Sequence, residues 1–98
     1  MEETIDFEGK QYSGIKCQLG NVPLLILKGK KGYVACSYID KGAAEKLGDV
    51  AVFVSGVKNF DDVYKAKVRG MTVWAEELGI REGMSVKKAL EIMDNGKE

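Results

Sequence analysis

Two short constellations in this chain of 98 residues hold side chains of the types that chemistry requires. The first is Cys36 with Ser37 and Asp40. A thiol at a strand end beside a helix N-terminus has its thiolate stabilised by the helix dipole, and open sheets gather binding groups at such strand ends. The Asp40 charge opposes a thiolate, however, and aspartate is also a preferred helix cap. A packed cysteine and a capping aspartate are the plainer reading. The second constellation is Ser55-Gly56-Val57-Lys58-Asn59, which reads as a turn from strand to helix. Its glycine permits close backbone approach, and Lys58 can meet an anion at the helix start. The spacing matches neither a Walker loop nor a dinucleotide fingerprint. Together Cys36, Asp40, Ser55, Gly56 and Lys58 form a candidate ligand-binding set suited to a small anion.

Histidine is absent, which removes Ser-His-Asp and Cys-His catalysis within the chain, because both need an imidazole base titrating near neutrality. Most zinc designs go with it. Cys17 and Cys36 form neither a Cys-x-x-Cys redox pair nor a four-ligand metal set. If the strands run as a meander, the two cysteines lie two strands apart, about 9 to 10 Å, which exceeds the reach of a disulfide. Two free thiols, no metal and no cofactor are expected. A cysteine-dependent enzyme acting on a small anionic metabolite is the alternative to a ligand-binding or structural role.

Two further motifs bear on nucleic acid. Gly29-Lys30-Lys31-Gly32 has the Gly-x-x-Gly spelling with which one RNA-binding fold clamps a backbone, and Lys30 and Lys31 suit phosphates. That loop joins helices, whereas here strands flank it, so it reads as a solvated hairpin tip. Residues 74–86 read as helix, glycine turn, helix, the order of a DNA-binding helix-turn-helix. From residue 70 onward, however, four basic side chains face six acidic ones, and a reading helix must approach phosphates. A packed helical pair is the better reading, and nucleic acid is disfavoured.

Elements of ordinary globular composition position these groups. Hydrophobic residues make up 45% and charged residues 31% of the chain, away from disordered and membrane classes. Fifteen basic side chains balance fifteen acidic ones, which leaves no overall field to attract nucleic acid or an anionic bilayer. The apolar run at 24–27 is far short of the roughly 18 residues of a membrane helix. The acidic Glu2-Glu3 start lacks the order of a signal peptide. A single domain over 1–98 in the cytoplasm is expected, with no membrane partner.

The first half reads as sheet. Strands are expected at 4–7, 11–19, 24–28 and 33–37, with Ser13, Ile15, Cys17 and Leu19 alternating against Tyr12, Gly14, Lys16 and Gln18. Leu24-Leu25-Ile26-Leu27 reads as a strand buried on both faces, and in so small a chain the second cover is expected from another subunit. The period then changes. Asp40 caps a helix over 41–47 that Gly48 ends, a strand follows at 50–54, and Asn59 caps a helix carrying Phe60, Val63 and Tyr64. Residues 65–69 read as extended. Met71, Trp74, Ala75 and Leu78 then share one helix face, and Ser85 caps a last helix with Val86, Ala89, Leu90 and Met93. The order points to an α+β two-layer sandwich, with a mainly antiparallel N-terminal sheet over about 1–38 and short helices within 39–98.

The succession Gly14-Ile15, Pro23-Leu24-Leu25-Ile26, Gly32-Tyr33-Val34-Ala35-Cys36, Ile39-Asp40, Gly56-Val57-Lys58, Leu78-Gly79-Ile80, Gly83-Met84 and Ala89-Leu90 resembles the YunC-like family. Its members are small bacterial and archaeal proteins whose domain is of unknown function. The resemblance implies the same α+β fold and an N-terminal β region that builds a homo-oligomer, with a tetramer as the expected state. Where the family has glycine after the cysteine and a Gly-Arg pair in the later strand, this chain has Ser37 and Val52-Phe53.

Overall fold

The computed structural model describes residues 2–36 and 39–95. Its framework is one six-stranded sheet in sequential order. The first four strands form an antiparallel meander: β1 (Glu2–Phe7), β2 (Lys10–Leu19), β3 (Val22–Lys28) and β4 (Tyr33–Cys36). Glu8 and Gly9 both take positive φ, at 55° and 84°, the geometry that matches a two-residue hairpin to strand twist. A second two-residue turn at Gly20-Asn21 lets β3 begin at Val22, two residues before the expected start, with Pro23 opposite Gln18. The described ladder from β3 to β4 runs over Ile26, Leu27 and Lys28, so Pro23 lies where β3 behaves as an edge and its missing donor is tolerated.

After β4 the chain crosses over through α1 (Lys41–Leu47) to β5 (Ala51–Val54), which lies parallel to β4. Asp40 Oδ1 accepts from Gly42 N at 2.9 Å to cap α1, and Gly48 ends the helix at φ 82°, where a Cβ would be strained. The short β6 (Gly70–Met71) returns antiparallel to β5. Lys65 still belongs to the preceding helix, whereas residues 66–69 are extended as expected: Val68 N donates to Met84 O at 2.7 Å, and Lys67 bridges to Ser85.

Strand alternation gives the sheet two unlike faces. One carries Tyr12, Leu25, Leu27, Val34, Val52 and Val54, all buried against α2 (Phe60–Lys65) and α4 (Val86–Asn95). α4 supplies Val86, Ala89, Leu90 and Met93, each fully buried, at the i, i+3, i+4, i+7 spacing of a core-facing stripe. Ser85 Oγ accepts from Lys88 N at its start. α2 reaches β2 through Phe60, whose ring lies where a side chain at Gly14 would stand: a Cβ there would come within 2.8 Å of Phe60 Cζ.

The expected helix from Met71 starts later. Met71 is spent in β6, Thr72 caps α3 (Val73–Glu77), and Ala75 and Ile80 enter the core. Trp74 stays 42% exposed, with its indole N–H donating to Glu45 O at 3.0 Å. Residues 74–86 thus run from helix through a glycine turn to the start of the next helix, with α3 packed on β5 and β6 and α4 on β4 and α2.

The opposite sheet face is covered less. Ala35, Ala51 and Phe53 pack against Ala44 of α1, with Ile26, Tyr33 and Ile39 at the margin. The α+β sandwich therefore has two full layers and, from α1, part of a third. Among the described residues nothing lies over the β2 and β3 end of this face. Cys17 is exposed there and Leu19 is 40% exposed, while Ile15, Leu24 and Ile26 are half-buried. The strand expected to be buried on both faces has Leu25 and Leu27 fully enclosed and its other face partly open.

Candidate functional site

Sheet alternation separates the residues proposed from sequence. Cys36 ends β4 on the helix-covered face, 6% exposed, among core residues. Its Sγ accepts from Leu25 N at 3.5 Å and donates to Pro23 O at 3.9 Å. Asp40 belongs to α1 on the other face and spends one oxygen on the helix cap. Ser55, Gly56 and Lys58 are exposed, and Gly56 supplies the positive φ of 73° that the turn needs. At the start of α2 the free amides are answered from within: Lys58 N donates to Asp62 Oδ2 and Asp62 N to Asn59 Oδ1. Ser55 lines a groove of about 390 Å³ with Lys41 and Arg69. Of the five candidates it is the one in that groove. Ser37 lies outside the described residues.

Cys17 and Cys36 are both free thiols. They sit two strands apart, as expected, and on opposite faces of the sheet, because Cys17 pairs with Leu24 while Cys36 points toward α4. No helix of the described residues is long and apolar enough to cross a membrane.

A different group of side chains converges on the open face. The register places Ser13, Lys28, Tyr33 and Ala51 in one row across the sheet, and Ile15, Ile26, Ala35 and Phe53 in the next. The Tyr33 hydroxyl donates to Asp49 Oδ2 at 2.7 Å, and burial followed by this bond pushes the phenol up to about 12. Asp49 is itself anchored. Its N–H donates to Ala44 O at 3.0 Å, and its carbonyl accepts from the buried Thr72 hydroxyl at 2.8 Å. Thr72 Oγ1 also accepts from Ala51 N and Ala75 N, so one side chain ties together the α1–β5 turn, β5 and α3.

Beside this pair a groove of about 540 Å³ runs between the 29–32 hairpin and α1. Its apolar lining comes from Ile15, Ile26, Ile39 and Val50, and its cations from Lys28, Lys30 and Lys31. The hairpin that presents these lysines is closed by Gly29 N donating to Gly32 O at 2.8 Å, and it is tied to α4 by Lys30 N donating to Asp94 Oδ1 at 3.0 Å. In the sequence Lys30 and Lys31 stand out as a hairpin tip with the spelling of a phosphate clamp, whereas Lys28, Tyr33 and Asp49 belong to no such motif. The signal was present: in a hairpin closed by residues 29–32, Lys28 and Tyr33 must face each other across the first ladder position.

Three comparisons bear on identity. The family model described as Domain of unknown function (DUF1805) matches residues 35–93. The chain is 32% identical over 90 residues, 88% of its own length and 89% of the relative's, to Uncharacterized protein YunC of Bacillus subtilis (strain 168). It superposes on the crystal structure of TA1206, a protein of unknown function from Thermoplasma acidophilum, with a TM-score of 0.86 and 39% identity, covering 95% of this chain and 91% of that one. A family match over more than half the chain and a relative of this identity over most of it leave one conclusion: the chain belongs to the YunC-like family of DUF1805 proteins, whose function is unknown.

Proposed function

We propose that the protein works in the cytoplasm as a homo-oligomer, a tetramer by the family resemblance, that assembles through the uncovered β2 and β3 face and holds a small anionic ligand. The observation that carries the assembly is the exposed Cys17 and Leu19 beside the half-buried Leu24, at the end of this face away from the 29–32 hairpin. Apolar side chains gathered on one sheet face lose hydration cost when covered, at about 25 cal/mol per Å², and a second copy of the same face supplies that cover.

Asp40, Ser55, Gly56 and Lys58 remain at the strand ends, where Ser55 with Lys41 and Arg69 offers a second place for an anion. The free Cys17 suits a reducing compartment.

Light scattering during dilution tests the assembly. A mass that is a multiple of the 10.8 kDa subunit is expected at micromolar concentration. A strict monomer throughout would overturn it.

A further inference from the structure

We infer that the groove between the 29–32 hairpin and α1 is a binding site for a small amphipathic anion, with its aliphatic body on Ile15, Ile26 and Ile39 and its anionic head among Lys28, Lys30 and Lys31. This deepens the ligand-binding part of the proposal above by naming a place and a chemical class.

Four features carry it. The cavity, about 540 Å³, is in the size range of small-molecule sites, which combine an apolar lining with a few convergent polar groups. Its apolar part is built by register, since Ile15 and Ile26 are direct cross-strand partners. Their neighbour along β3 on the same face is Lys28, so an aliphatic chain lying on the two isoleucines brings its head to a lysine.

The cations are available. No carboxylate of the described residues forms an ion pair with Lys28, Lys30 or Lys31. Asp49 is the one acid in the lining, and its Oδ2 is turned to the Tyr33 phenol. The lining thus holds three lysines against one carboxylate that already has a donor, and Asp94 beside the hairpin accepts from Lys30 N.

The polar wall is also fixed before any ligand arrives. Tyr33 N donates to Val50 O at 3.1 Å, and Thr72 and Ala44 hold the Asp49 backbone. A wall anchored in this way loses little conformational freedom on binding. The phenol stays protonated at neutral pH, which keeps the Tyr33–Asp49 bond intact across the physiological range.

The test is isothermal titration calorimetry of the full chain with octanoate, octyl phosphate, octylamine, acetate and inorganic phosphate. Octanoate and octyl phosphate are expected to bind and to compete with each other, and their ratio tells carboxylate from phosphate preference. Acetate, inorganic phosphate and octylamine are each expected to bind at least tenfold more weakly. Lys28→Gln with Lys31→Gln, checked for unchanged circular dichroism, is expected to weaken octanoate at least tenfold. Equal affinity for octylamine, equal affinity for inorganic phosphate, or no effect of the double substitution would each overturn the site. Light scattering on the same samples separates the two readings. A monomer that binds octanoate overturns the assembly alone, and an oligomer that does not bind it overturns the site alone.

Discussion

The Tyr33 hydroxyl and the Asp49 carboxylate, 2.7 Å apart, join the first residue of β4 to the turn that brings the chain back from α1 into β5. The bond closes the crossover at its open end. Tyr33→Phe removes the donor and leaves a half-buried carboxylate oxygen without it, a change that costs about 1 to 2 kcal/mol. Urea denaturation should show that loss with an unchanged m-value, and Asp49→Asn should cost less, because an amide still accepts from the phenol. Equal stability of Tyr33→Phe and the parent chain would mean the bond contributes nothing.

Burial raises the phenols of Tyr12 and Tyr33, each to about 12. A group whose folded pKa lies above its unfolded value near 10 stabilises fully below that value and loses the contribution as pH rises through the folded one. Stability should therefore fall between about pH 10 and pH 12. Absorbance at 295 nm during an alkaline titration should show at least two tyrosines, Tyr12 and Tyr33, ionising late and together with unfolding, with Tyr64 also raised by burial. Ionisation of all four tyrosines near 10 in a folded chain is the contrary result.

Glycines at two positions test the packing. A Cβ at Gly32 would lie 2.6 Å from both Met93 Sδ and the Val50 carbonyl oxygen, and backbone cannot give way cheaply. Gly32→Ala should destabilise by about 1 to 3 kcal/mol. Gly70→Ala, with nothing within 4 Å, should leave the melting temperature close to that of the parent chain. Thermal melts of the two variants compare them directly.

The two thiols should separate by iodoacetamide footprinting. Cys36 is enclosed and hydrogen-bonded, so its alkylation should follow global unfolding at any protein concentration. Cys17 is exposed on the subunit surface and lies on the face proposed to be covered, so its protection should rise with concentration as the oligomer forms. Rapid alkylation of Cys36 in the native protein would revive a role for it as a nucleophile.

Local signals made most of the elements legible from the sequence. Asp40, Asn59 and Ser85 announce helix starts, Gly48 a helix end, and the spacing of Val86, Ala89, Leu90 and Met93 a core stripe. Thr72 was missed as a cap because Met71, Trp74, Ala75 and Leu78 fit a helical face by themselves. Only the pairing of β6 with β5, a tertiary fact, shows that Met71 belongs to a strand. The candidate site was less legible. Cys36 and Asp40 are close in sequence, yet the strand end and the crossover send them to opposite faces. Tyr33 and Asp49 are far apart in sequence and meet because β4 and β5 pair in parallel.

The most direct test of the central claim is the mass of Leu19→Asp beside that of the parent chain, both by light scattering at the same micromolar concentration. Leu19 is 40% exposed at the last position of β2, so the substitution should leave the subunit's fold and its circular dichroism spectrum intact. The account predicts an oligomer for the parent chain and a folded monomer for the variant. A parent chain that is already monomeric, or a variant that keeps the oligomer's mass, would contradict assembly through this face.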